Sequence, residues 1–215
     1  MLDLDGLLVD SEDAWGAAER RVVEGYGKPW DEGVRTLMLG RGPEDAATVL
    51  AEFLGAADPR AISRRLLTAA VVEFQRGIAA RPGARELVEA LRERGVPLGV
   101  ATNSRRIIAE LSLTSSGLGV LADTAVCAED VARPKPAPDP YLAACAALGA
   151  PPGRCVGLED SPVGVASAKA AGLYVIGCPS LPDTQLDAAD AEVASLTELD
   201  IAKLLGRAGD GERGR

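Results

Sequence analysis

The sequence predicts an α/β protein: a mostly parallel sheet covered by helices on both faces, with an all-helical segment set near the start of the chain. Three observations carry this. From residue 82 onward, short apolar runs alternate with amphipathic stretches of helical length, the trace left by parallel strands and their crossover helices. Residues 12–80 show helical periodicity and no convincing strand. With 215 residues, 47% of them hydrophobic, the chain can bury a sizeable core.

The elements follow in order. Ser11 is placed to cap a first helix whose opening turn carries Glu12 and Asp13, both favourable at a positive helix end. Helical patterns continue over about 44–54 and 60–76. Residues 83–94 put Leu87, Val88 and Leu91 on one face, and Gly95 closes that helix. Val96–Ala101 reads as a buried strand, followed by a helix over about 104–113 and a strand near Ala125–Cys127. A helix over about 138–148, a strand over Cys155–Leu158, a helix over 162–171 and a strand over Tyr174–Gly177 complete the alternation. Residues 1–11 and 82–206 are thus expected to form the core, and residues 12–81 a helical insert hinged near Asp10–Ser11 and Gly77–Gly83. The Gly- and charge-rich tail 207–215 is expected to be disordered.

Composition excludes much chemistry. Histidine is absent, so no Ser-His-Asp triad, Cys-His pair or histidine-bound zinc can form. Any acid, base or nucleophile comes from carboxylates, Lys, Tyr, Cys or hydroxyls. The net charge of −9 argues against nucleic acid or an anionic membrane as partner. No apolar run approaches the roughly 18 residues of a membrane span, and no basic-then-apolar leader is present; a cytoplasmic monomer is expected. Cys127, Cys145, Cys155 and Cys178 show no Cys-x-x-Cys pairing and read as small buried hydrophobes.

Ligands of a parallel sheet collect at the carboxyl ends of its strands. Four polar clusters fall at such ends: Asp3-Leu4-Asp5-Gly6, Thr102-Asn103-Ser104, the segment Arg133–Asp139 around Lys135, and Glu159-Asp160-Ser161. Each alone has a structural explanation as a turn, a helix cap or a stiff loop. All four on one edge favour a site.

Together these residues resemble a known family. Asp3-x-Asp5-Gly6, Thr102, Lys135 with its neighbouring prolines, and Glu159-Asp160 are similar to the four motifs of the haloacid dehalogenase-like hydrolase superfamily, and the helical insert resembles its small cap domain. The resemblance covers about residues 1–205. It implies a doubly wound core, Mg²⁺ and phosphoryl transfer through an aspartyl-phosphate. It gives Asp3 the role of nucleophile and Asp5 that of general acid and base, tasks suited to a carboxylate fixed at a strand end and a second one two residues on. Gly6 permits a tight turn beside the phosphate. Thr102 and Asn103 are expected to hold phosphoryl oxygens, and Lys135 to neutralise developing charge. Asp3, Asp5 (through its carbonyl), Glu159 and Asp160 are expected to hold the magnesium. Four clustered acids need such a cation: one like-charge pair at about 4 Å costs about 4 kcal/mol at an effective dielectric of about 20.

Asp5 separates the phosphate-ester members of the family from its dehalogenases and phosphonate-cleaving members, which lack an Asp there. The sugar-phosphate mutases carry a histidine early in the first cap helix, where this chain has Trp15, so a phosphatase is expected over a mutase. The run Asp5–Glu12, Trp15 and Ala18-Glu19 resembles the sugar-phosphatase branch, including 2-deoxyglucose-6-phosphate phosphatases. Trp15 reads equally as substrate contact or cap packing, and Arg41 of Gly40-Arg41 equally as substrate contact or solvated surface. A small helical lid implies a small phosphorylated metabolite as substrate. A catalytically silent binding module on the same fold is the alternative of another class. Only Met1 and Leu2 precede Asp3, whereas a central strand has about five or six residues; further apolar residues are expected upstream.

Overall fold

Leu2 is bridged in parallel to Val100 on one side and to Leu158 on the other. Main-chain hydrogen bonds hold this Met1–Asp3 segment on both sides: Leu2 N to Gly99 O (2.8 Å), Ala101 N to Leu2 O (2.9 Å), Met1 N to Val156 O (2.7 Å), Leu158 N to Met1 O (2.9 Å) and Asp3 N to Leu158 O (3.1 Å). Outside it lie β1 (Gly99–Ala101) and β2 (Thr124–Val126) on one flank, and β3 (Val156–Glu159), β4 (Tyr174–Gly177) and β5 (Ala191–Glu192) on the other. Every pairing is parallel, with Val100 opposite Ala125, Leu158 opposite Ile176, and Ile176 opposite Ala191. The spatial order is therefore β2, β1, Met1–Asp3, β3, β4, β5, and it reverses at Met1–Asp3. That reversal is the switch point where open α/β sheets place ligands. This computed structural model describes residues 1–38, 41–119 and 122–209.

Both faces of the sheet are covered. Successive strand residues enter opposite hydrophobic clusters, Val100 and Ile176 one, Ala101 and Val175 the other, as the two-residue period of a strand requires. The first cluster takes Leu87, Val88 and Leu91 of α5 (Ala84–Glu93), Ile108 of α6 (Arg106–Ser115) and Leu204 of α9 (Ile201–Gly209). The second takes Tyr141, Ala144 and Cys145 of α7 (Asp139–Ala147), and Val165 and Ala168 of α8 (Pro162–Ala170). Strand β1 is shorter than the expected Val96–Ala101: Leu98 N donates to the Asp123 side chain (2.8 Å), while Leu98 O still accepts from Asp123 N (2.8 Å). Helix α9 reaches Gly209, into the tail expected to be disordered from residue 207; residues 210–215 lie outside the described ones. All four cysteines are free and buried, and α7 brings Cys145 Sγ to 3.6 Å from Cys155 Sγ, a meeting the sequence spacing did not announce.

Between the sheet's first segment and α5 stand α1 (Glu12–Gly25), α2 (Glu32–Met38), α3 (Pro43–Leu54) and α4 (Pro59–Phe74). Helix α4 packs against α1 and α3 and also touches α6. Its starting signals are legible: Pro59 occupies the first turn, where a missing N–H costs nothing, and the Asp58 carboxylate accepts from Arg60 N (3.0 Å). Helix α3 opens on Pro43 and closes on Gly55 at φ 67°. Ser11 departs from its expected role. It precedes α1 but makes no capping hydrogen bond, since its own backbone is near-helical (φ −103°, ψ −6°) rather than extended as a capping residue needs. Ala18, Val23, Leu50, Ile62 and Phe74 are buried in one cluster with Leu7, Leu8 and Ile108, so the helical insert and the sheet side share apolar contact.

Candidate active site

The four polar clusters converge at the switch point. Lys135, in the loop before α7, places Nζ 2.5 Å from Asp3 Oδ1 and 2.5 Å from Glu159 Oε1. Tyr141 OH donates to the same Glu159 oxygen. Asp3, Glu159 and Asp160 have carboxylate oxygens within 4.8 Å of one another. Asp160 Oδ2 accepts from Ser180 Oγ at 2.6 Å. Parallel strands create this meeting: Asp3 ends the Met1–Asp3 segment, and Glu159 ends the neighbouring β3.

Asp5 faces a different set of partners. Its Oδ2 accepts from Ser104 Oγ at 2.7 Å and Thr102 Oγ1 at 3.4 Å, and its Oδ1 from Trp15 Nε1 at 3.4 Å. Thr102 Oγ1 in turn accepts from Ser104 N (3.0 Å). The Asp5 carboxylate is thus not one of the three clustered acids.

Asn103 lines the same cavity with its side chain bonded to the main chain of Lys135. Its Oδ1 accepts from Lys135 N at 2.9 Å and its Nδ2 donates to Lys135 O at 3.1 Å. The amide braces the main chain of the cation-bearing loop with its oxygen and one of its two N–H donors. Gly6 makes the tight turn expected of it and serves a second purpose. Its φ is 81°, and a Cβ there would stand 2.1 Å from Asp160 Oδ2, so it makes room for the acid while turning the chain.

Charge is managed by burial and pairing. Burial pushes the Asp3 carboxyl well up, with Glu159 and Asp160 adding to the rise and Lys135 opposing it. Burial and Glu159 lift Asp160 to about 7 against the pull of Ser180 and Lys135. Burial works against the Lys135 ammonium, yet Asp3 and Glu159 hold its pKa above the ordinary value. Burial, then Glu159 and Asp3, raise Tyr141, which stays a donor. One polar atom is left over: Glu159 Oε2 is buried with no hydrogen-bond partner among the described residues. An orphaned carboxylate oxygen costs about 1–3 kcal/mol or more. The Glu159 carboxylate together with those of Asp3 and Asp160 forms an all-oxygen donor set, the kind a hard divalent cation takes.

Trp15 packs within the helical segment and also reaches the site. Its ring meets Phe74 edge-on at 5.2 Å, while Nε1 points to Asp5. A cavity of about 480 Å³ opens above the acids, lined among others by Asp3, Asp5, Trp15, Glu19, Arg41 and Lys135. Arg41 is on its wall, tied to Asp45 (2.7 Å) and Leu37 O (2.6 Å); Gly40 lies outside the described residues.

Residues 1–172 match the family model described as haloacid dehalogenase-like hydrolase. The chain belongs to that family. A validoxylamine A 7'-phosphate phosphatase of Streptomyces hygroscopicus subsp. limoneus is 35% identical over 201 residues, 93% of this chain and 94% of that one. Hexitol phosphatase A of Escherichia coli K12 is 34% identical, with 94% and 93% covered. CbbY of Rhodobacter sphaeroides, solved with phosphate, superposes with a TM-score of 0.81 at 30% identity, covering 94% of this chain and 96% of that chain.

Three residues of this haloacid dehalogenase-like site went unnoticed in the sequence. Ser104 sat in a recognised cluster but was not assigned to Asp5. Ser180 follows β4 and was findable by the strand-end rule that found the others. Tyr141 carries no sequence signal, since its hydroxyl meets Glu159 only through tertiary packing.

Proposed function

We propose that this hydrolase is a Mg²⁺-dependent phosphatase acting on a small phosphorylated sugar or polyol through a phospho-aspartate at Asp3. The observation that carries the reading is Lys135 Nζ, 2.5 Å from both Asp3 and Glu159 beside Asp160, at the switch point of the sheet. The names of the relatives, phosphatases of phosphorylated carbohydrate-like compounds, support the substrate class.

Asp3 attacks phosphorus through a carboxylate oxygen as the ester oxygen leaves. Asp5, held by Ser104 and Thr102, gives that oxygen a proton. It then takes one from the water that displaces Asp3 from phosphorus, releasing inorganic phosphate. Lys135 holds the Asp3 carboxylate in place and offsets charge building on the phosphoryl oxygens. Asp3, Glu159, Asp160 and the Asp5 carbonyl would hold the magnesium, whose positive charge offsets the dianionic phosphoryl group among these acids. Residues 12–81, with Trp15, Glu19 and Arg41 on the cavity wall, act as a cap over the core of 1–11 and 82–206, excluding water and limiting substrate size.

A screen of phosphorylated sugars and polyols with Mg²⁺, run beside Asp3→Asn, tests this. Turnover of at least one monoester by the wild type and its loss in Asp3→Asn are expected. Equal rates in both would remove Asp3 as nucleophile and favour the binding-module alternative.

A further inference from the structure

Glu19 is a buried acid that the phosphoryl chemistry leaves unused. It follows Trp15 by one turn of α1, so the two side chains share a face of that helix. Only 8% of the residue is exposed, and no hydrogen bond or ion pair joins its carboxyl to another described residue. It lines the cavity above Asp3 together with Glu12, Trp15 and Arg41, and the same four residues border an adjoining cavity of about 300 Å³. A buried polar group without a protein partner is costly, and here it faces the space a substrate would occupy.

The charges around it narrow what that substrate carries. The lining cations of the main cavity are Arg41 and Lys135, and both are paired, with Asp45 and with Asp3 and Glu159. Arg35, in the adjoining cavity, is near Glu12. A second anionic group on the substrate would find no unpaired cation in the main cavity and would face Glu12 there. Burial, reinforced by Glu12, lifts the Glu19 carboxyl to about 8, which keeps a proton on it at neutral pH and makes it a donor as well as an acceptor.

We propose that Glu19 is a specificity-determining residue that hydrogen-bonds a hydroxyl of the substrate, selecting phosphate monoesters of a neutral, polyhydroxylated carbon skeleton. The proposal rests on the phosphatase reading above and names the substrate feature that the distal wall reads.

The test uses the full chain with Mg²⁺ and three probes: sorbitol 6-phosphate, phenyl phosphate, which has no hydroxyls, and fructose 1,6-bisphosphate. The readout is the ratio of kcat/KM between probes on one sample, which a change in the folded fraction does not move. The wild type is expected to favour sorbitol 6-phosphate over each of the other two by about tenfold or more. Glu19→Leu lowers the sorbitol-to-phenyl ratio about tenfold, mainly through KM, and Glu19→Gln, which still donates and accepts, keeps it within about threefold. A ratio unmoved in Glu19→Leu, or a bisphosphate hydrolysed as readily as sorbitol 6-phosphate, overturns the assignment of Glu19 and leaves the phosphatase reading standing. No turnover of any probe by the wild type overturns both.

Discussion

Lys135 Nζ lies 2.5 Å from Glu159 Oε1, and neither side chain reaches solvent to more than 4%. Breaking a buried pair by removing one partner costs about 3–5 kcal/mol, because the other is left charged and unpaired. Lys135→Met is therefore expected to lower stability by about 3 kcal/mol in urea unfolding and to abolish turnover. Glu159→Gln keeps an acceptor for Lys135 and Tyr141, so it is expected to cost less stability while weakening Mg²⁺ binding in a calorimetric titration.

Two glycines are held in place by the acids themselves. A Cβ at Gly164, in α8, would stand 1.9 Å from Glu159 Oε2, and one at Gly6 would stand 2.1 Å from Asp160 Oδ2. Gly164→Ala and Gly6→Ala are each expected to cost about 2 kcal/mol, roughly 5 °C in Tm, and most of the activity. Gly153→Ala, where a Cβ meets nothing within 4 Å, is the control and should leave both near the wild-type values.

Magnesium binding is expected to register without any assay of turnover. The clustered carboxylates of Asp3, Glu159 and Asp160 would share the charge of a bound cation. At about a hundredfold excess over Kd this adds about 2.7 kcal/mol to stability. A rise of Tm with Mg²⁺, reversed by EDTA and absent in Asp160→Asn, is the expected result. A Tm indifferent to Mg²⁺ in the wild type would count against the site.

Glu19 makes stability fall as pH rises. Its carboxyl titrates near 4.5 in the unfolded chain and near 8 in the folded one, raised by burial and by Glu12. Between those values the unfolded state gives up its proton while the folded state keeps it, so this group's contribution declines through that window and is flat above it. Glu12, Asp5, Arg41 and Lys135 are among the other charged groups lining the same cavity, and Asp13, Arg20 and Arg35 line the adjoining one. Glu19→Gln removes the effect: near pH 5 it should match the wild type, and above pH 8 exceed it by a few kcal/mol. Urea denaturation across pH 5–9 measures the difference.

The sheet and its helices were legible because their cues are local. Leu87, Val88 and Leu91 announce the buried face of α5, and Pro59 and Gly55 mark helix ends whatever lies around them. Strand β5 has two residues, Ala191 and Glu192, and no periodicity to read; α2 and α9 escaped for want of a long apolar stripe. The acids of the site were legible because three strand ends bring Asp3, Thr102 and Glu159 to one edge. What their side chains do once there was not. Asn103 carries a polar amide at the right strand end, yet it is spent on Lys135 backbone atoms, and Ser104, one residue on, supplies the contact to Asp5. Strand position places a residue near the chemistry; rotamer and neighbour decide its task.

The paired hydrogen bonds between Asn103 and the peptide groups of Lys135 fasten two loops that share no sequence neighbourhood. A shortened side chain at position 103 would leave every charge in the site intact and still displace the ammonium, because the main chain carrying it would lose its anchor. Lys135 is thus fixed at one end by two carboxylates and at the other by an uncharged amide.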